Sequence, residues 1–114
     1  MTSVAVHGLG YVGLPNAALF ANEGFSVIGI DTDRERIETL REGAPGYNEV
    51  ELEAYVQQAL DSGRLSVQMT PAESDYHLIC VPTPLDADAE QAVLTHVEQA
   101  ARNIEPHLRE GDTV

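Results

Sequence analysis

Apolar residues follow two rhythms along this chain, and the alternation between them predicts its architecture. "SVAVH" (3–7) is a short β-rich run that closes on a glycine turn, the pattern of a buried strand. The segment after it places Leu14, Ala18 and Ala21 on one helical face, and the helix is taken to start at Val12. Ala17 and Ala18 are small enough there for close approach to a sheet. "FSVIGID" (25–31) predicts a second buried strand with an acid at its carboxyl end. A polar helix over about 33–42 then stops at Gly43, a favourable residue just past a helix end.

Further on, Leu52, Tyr55, Val56, Ala59 and Leu60 recur at helical spacing, which predicts an amphipathic helix over 50–61 ended by Ser62 and Gly63. "LSVQM" (65–69) reads as a short strand, and "YHLICV" (76–81) as a clearer one that runs into "PTP". Val93, Val97, Ala100, Ala101, Ile104 and Leu108 mark one face of a helix over 93–108, and "EGDTV" (110–114) reads as a turn and the first residues of another strand. Strand, glycine turn, helix, strand, helix is the grammar of parallel βαβ units, whose crossovers are almost always right-handed. The expected fold is therefore α/β: a Rossmann-type doubly wound parallel sheet with helices on both faces, truncated at its carboxy-terminal side. With 114 residues the chain has material for one layered core, so 1–114 is read as a single domain of a longer protein.

Charge narrows the partners. The chain carries 19 Asp and Glu against 6 basic residues, all Arg, for a net charge of −13. A surface of that sign repels nucleic acid and anionic membranes, so neither is expected as a partner. The acids are scattered over "DTDRERIETLREG", "NEVELEAY" and "DADAEQ" rather than gathered in one tail, which points to a salt-loving host. No window approaches the ~18 apolar residues of a membrane span, and the amino terminus has neither a basic region nor a long apolar one. Cys80 is the single cysteine, and no Cys/His cluster has metal-ligand spacing. A reducing, cytoplasmic setting is expected, with no metal.

The candidate chemistry lies in "GLGYVGLP" (8–15). Gly8, Gly10 and Gly13 match G-x-G-x-x-G, in which the first glycine permits the tight turn, the second lets a pyrophosphate approach the backbone, and the third lets helix and strand pack closely. The helix amino terminus offers unpaired N–H groups and about half a positive charge, enough to hold a diphosphate in a chain without Lys. Pro15 falls among the first helical residues, where its missing donor costs little. A strand precedes the motif, a helix follows it, and Asp31 ends the next strand, where an acid accepts hydrogen bonds from an adenosine ribose. Dinucleotide binding is the reading that this context supports, and Asp31 selects NAD. The 2′-phosphate of NADP beside a carboxylate would cost about 4 kcal/mol per charge pair at ~4 Å, about a thousandfold in affinity. Arg34 and Arg36 work against that selection where they reach the ribose, and otherwise pair with nearby acids on the helix surface.

Taken together, "AVHGLGYVGLP", "VIGIDTD", "EGAPGYNEVELEAYVQQALDSGRL" and "LICVPTPLDAD" resemble the UDP-glucose/GDP-mannose dehydrogenase family, the nucleotide-sugar 6-dehydrogenases, over essentially the whole chain. "TPAESDYHLICVPTP" is most similar to the branch that oxidises UDP-N-acetylmannosamine. The resemblance implies an amino-terminal NAD-binding domain whose phosphate loop is formed by Gly8, Gly10, Tyr11, Val12 and Gly13. It implies that Asp31 binds the adenosine ribose, that Arg36 stands near the cofactor, and that Pro82 and Thr83 lie beside NAD in a loop stiffened by Pro82 and Pro84. It also implies a parent enzyme, a homodimer or larger, that oxidises the C6 alcohol of UDP-N-acetylmannosamine or UDP-glucose twice, through an aldehyde and a thioester, to the uronate of a glycan precursor, using two NAD. The cysteine that carries the thioester, and the residues that bind sugar, belong to regions beyond 114, so no catalytic residue is expected here.

Cys80 sits within "LICVP" and reads as a small apolar filler of a buried strand, inert as buried thiols ordinarily are. His7 reads as strand-end packing next to the glycine turn, His77 as structural, and His96 and His107 as helix-surface residues. Two other functions stay open on the residues alone: a stand-alone module that senses NAD or NADH, and a different Rossmann dehydrogenase, against which "VPTP" argues.

Overall fold

The computed structural model describes residues 2–43, 50–83, 85–86, 91–92 and 94–114. Expectations that fall on Pro84 and Val93 lie outside those residues. Strand β1 (Ser3–His7) leads through the glycine turn into α1 (Gly13–Asn22), β2 (Ser26–Ile30) and α2 (Arg34–Arg41). After α3 (Val50–Asp61) come β3 (Leu65–Gln68) and β4 (Tyr76–Ile79), then a small antiparallel pair, β5 (Leu85–Asp86) with β6 (Gln91–Ala92), and α4 (Thr95–Ile104). The main sheet has the order β3-β2-β1-β4 and is parallel throughout.

Because side chains alternate across a strand, the in-register pairs divide the sheet into two faces. Val4, Val6, Val27, Leu65 and Val67 lie on one and pack with Leu14, Ala17, Ala18 and Ala21 of α1, Ile37 and Leu40 of α2, and Val56 and Ala59 of α3. The alanines of α1 are fully buried, which keeps that helix close to the strands and to α3. Ala5, His7, Ile30 and His77 occupy the opposite face, where α4 supplies Ala100 and Ile104. Helices therefore cover both faces, as the sequence predicts, and each fully buried Val, Leu or Ile side chain contributes about 1.5–3 kcal/mol.

Local chemistry explains where the elements stop. Asp33 caps α2 by accepting the Arg36 N–H at 3.2 Å, and Gly43 follows its end with φ +82°. The last helix is shorter than its apolar pattern suggests. It ends at Ile104 and continues only as a 3-10 turn over Glu105–His107, because Pro106 offers no N–H and its ring crowds the carbonyl four residues back. The expected face shrinks accordingly: Ala100 and Ile104 are buried and Val97 is half-buried, but Ala101 and Leu108 are exposed. Helix α1 begins one residue later than expected, with Val12 at its cap position. The β5–β6 pair was not expected, since a ladder of two residues per strand carries no periodicity to read. At the far edge of the sheet Thr113 bridges Tyr76 in parallel, the His77 N–H donating to the Thr113 carbonyl at 2.7 Å, in keeping with a strand beginning over 110–114.

Candidate functional site

All four strands of the main sheet point their carboxyl ends to one edge. Between β1 and β4 the direction of winding reverses, which in open α/β sheets is where ligands bind. A groove of about 710 Å³ opens there and runs from the glycine turn to the ends of β2 and β4. Gly8, Gly10, Tyr11, Val12, Asp31, Arg36, Pro82 and Thr83 all line it. Gly13 does not line it and sits buried beneath, at the start of α1.

The three glycines have three different reasons. Gly8 has φ +100°, and a Cβ on it would lie 2.6 Å from the Cys80 carbonyl oxygen. A Cβ on Gly13 would overlap the Gly8 carbonyl oxygen. At Gly10 the same test meets no protein atom within 4 Å, so this glycine leaves open space over the loop for a ligand. Tyr11 and Val12 are 90% and 62% exposed at the helix amino terminus, a setting that favours an anion. The loop thus fits a pyrophosphate laid across Gly10.

Asp31 stands at the end of β2 with its carboxylate engaged on both oxygens. Oδ2 accepts the Leu9 N–H at 2.8 Å and the Arg36 guanidinium at 3.0 Å, and Oδ1 accepts the Asp33 N–H at 2.9 Å. Burial works to raise its pKa, but the two backbone donors and Arg36 outweigh it and hold the carboxyl below its usual range. Leu9, nearly fully buried between the first two glycines, is therefore tied to β2 through Asp31. Arg36 is the helix residue that reaches the site, while Arg34 is exposed and does not line the groove.

Two sequence readings change. Cys80 lies one residue past β4 rather than inside it, half-buried in the groove wall, with its N–H donating to the His7 carbonyl at 2.7 Å. Burial pushes its thiol pKa up, which favours the protonated form. His7 has a partner that the sequence did not suggest: its Nε2 is 3.2 Å from Nδ1 of His77, on the same sheet face. Burial, then the charges of His77 and His107, lowers the His7 pKa to about 4, so the ring is neutral at pH 7. Nε2 of His77 is buried and has no partner among the described residues. The groove also gathers Met69 and Pro71 after β3, and His96, Gln99, Ala100 and Asn103 of α4. His96 is exposed, as expected of a helix-surface residue, and it also faces the groove. No sequence signal pointed to these residues, except that His96, Gln99 and Asn103 are spaced to share one helical face.

Residues 2–114 match the model of the UDP-glucose/GDP-mannose dehydrogenase family, NAD binding domain. The UDP-N-acetyl-D-mannosamine dehydrogenase of Methanococcus aeolicus is 42% identical over 116 residues, covering 100% of this chain and 26% of that protein. Among solved structures, the UDP-N-acetyl-mannosamine dehydrogenase Cap5O of Staphylococcus aureus superposes with a TM-score of 0.93 at 36% identity, over 97% of this chain and 27% of that one. A ternary complex of GDP-mannose dehydrogenase from Pseudomonas aeruginosa gives 0.85 at 33% identity, over 96% and 26%. The chain spans about a quarter of the length of these relatives.

Proposed function

Because the chain belongs to the UDP-glucose/GDP-mannose dehydrogenase family, as its NAD-binding domain, we propose that it serves a nucleotide-sugar dehydrogenase that oxidises the C6 alcohol of a UDP-sugar to the uronate with two NAD. UDP-N-acetylmannosamine is the favoured sugar nucleotide and UDP-glucose the alternative, since relatives named for the first are about 40% identical along the whole chain. NAD, when bound, supplies the hydride acceptor. What this chain contributes is the cradle: Gly8, Gly10, Tyr11, Val12 and Gly13 form the pyrophosphate loop, Asp31 takes the adenosine ribose, Arg36 flanks it, and Pro82 and Thr83 lie alongside. The observation that carries this reading is the open space over Gly10, between two glycines that packing alone demands, with the Asp31 carboxylate fixed at the end of the neighbouring strand.

We place the sugar-binding residues and the catalytic cysteine in the remainder of a longer protein, which works as a homodimer or larger assembly in the cytoplasm and feeds polysaccharide synthesis. The −13 charge, spread over the surface without a single Lys, supports a salt-loving host. Calorimetric titration in molar KCl tests the cofactor reading. The 114-residue chain is expected to bind NAD saturably, to bind NADP far more weakly, and to lose NAD binding in Asp31→Ala. A folded sample that gives no heat with NAD overturns it.

A further inference from the structure

The groove has a second wall that the phosphate loop and Asp31 do not explain. Its lining also includes the apolar residues Ile30, Met69 and Pro71 and one side of α4. The buried stripe of α4 is Ala100 and Ile104, and Gln99 and Asn103 precede each of these by one residue. Helical geometry therefore sets both amides on the shoulder of the buried face, where both line the groove. Gln99 Nε2 donates to Asn103 Oδ1 at 3.0 Å, a bond between side chains one helical turn apart. That bond fixes the two amides as a unit. The Gln99 carbonyl oxygen remains as an acceptor and the Asn103 NH₂ as a donor, and neither has another partner among the described residues.

We propose that Gln99 and Asn103 read the hydrogen-bonding edge of the adenine base, while Ile30, Met69 and Pro71 take its face. An adenine edge presents an amino donor next to a ring-nitrogen acceptor, and side-chain amides complement that pair. The apolar residues suit a planar heterocycle, and Asp31, the proposed ribose acceptor, lines the same groove. The inference rests on the NAD reading and extends it to the base. Neither amide takes part in the core or in any described contact beyond the pair itself, so their removal leaves the fold in place.

The test compares the wild-type chain with Gln99→Ala/Asn103→Ala, using NAD, ADP-ribose and 1,N6-etheno-NAD, in which the amino group and N1 of the base are bridged and the edge is blocked. Melting curves confirm that the variant folds. The wild type is expected to bind NAD about tenfold more tightly than the etheno analogue. The double variant is expected to lose about tenfold in affinity for both NAD and ADP-ribose, and to bind the etheno analogue as the wild type does. A variant that keeps its NAD affinity overturns the proposal alone, as does one that weakens for NAD but not for ADP-ribose, since the amides would then serve the nicotinamide half. A wild-type chain that binds none of the three overturns the NAD reading together with this one.

Discussion

Alanine at each of two glycines separates what the fold needs from what the ligand needs. At Gly13 the new methyl overlaps the Gly8 carbonyl oxygen, so α1 or the loop must move. Overpacking typically costs 1–3 kcal/mol, and an overlap with backbone, which has no rotamer to yield, belongs at the top of that range, at about 3 kcal/mol. For a domain of this size that lowers the melting temperature by roughly 12 °C or more. At Gly10 the methyl meets no protein atom within 4 Å and the backbone is not left-handed, so the change in stability is within about 0.5 kcal/mol, only a few degrees. The methyl does occupy the space over the loop, and a pyrophosphate held off the backbone N–H groups by one carbon is expected to bind at least about tenfold more weakly. Both variants are read by circular-dichroism melting and by NAD titration on the same preparations. Gly10→Ala that binds NAD as the wild type does would refute the cradle, and Gly13→Ala that melts within a few degrees of it would refute the packing.

Two further outcomes follow from charge. His7 titrates at about 4 when folded against 6.5 when exposed, so between those values the unfolded chain holds a proton that the folded chain does not. Stability is therefore full above pH 6.5 and falls as the pH drops toward 4, by about 3 kcal/mol in all. The His77 pKa is lowered too, chiefly by burial, and adds in the same direction, whereas Asp31, held below its usual value, loses its contribution only at lower pH. Denaturant midpoints at pH 7.5 and 5 should diverge in the wild type and diverge less in His7→Asn, where only His77 contributes; equal divergence in both would remove the assignment. The acidic surface sets the other outcome: raising KCl from 0.1 to 2 M shortens the screening length from about 10 Å to below 3 Å and should raise the melting temperature by about 5 °C or more. A flat or falling melting temperature would count against a salt-adapted surface.

The sheet was legible because its signals are local. Each main strand is a short apolar run closed by a turn residue, and the end of α2 announces itself through Gly43. The glycine turn was legible for the same reason, since its turn and packing glycines fall within six residues. What stayed hidden is whatever the topology assembles from a distance. Met69 and Pro71 share one groove with Gln99 and Asn103 only because all four strands end at one edge and α4 returns over the sheet's second face. His7 and His77 are 70 residues apart and bond because β1 and β4 are neighbours in register. No spacing rule reaches that far.

Asp31 shows how much of a proposed site residue's surroundings the sequence leaves out. Its position at the end of a strand announces a ribose acceptor, yet the structure finds both oxygens already used by the protein. The bonds are not equivalent. The Leu9 N–H belongs to a nearly fully buried residue of the phosphate loop and cannot be given up without unpinning that loop from β2, whereas the Arg36 side chain is 44% exposed and can swing to solvent. On the proposed role, a ribose hydroxyl arriving at Oδ2 would displace Arg36 and leave Leu9 in place. In the proposed site one carboxylate would serve both halves of the adenosine diphosphate, receiving the ribose directly and holding the glycine loop through Leu9. Removing it must weaken contacts that it never makes with the ligand, so Asp31→Ala should lose more NAD affinity than its ribose hydrogen bonds alone would supply.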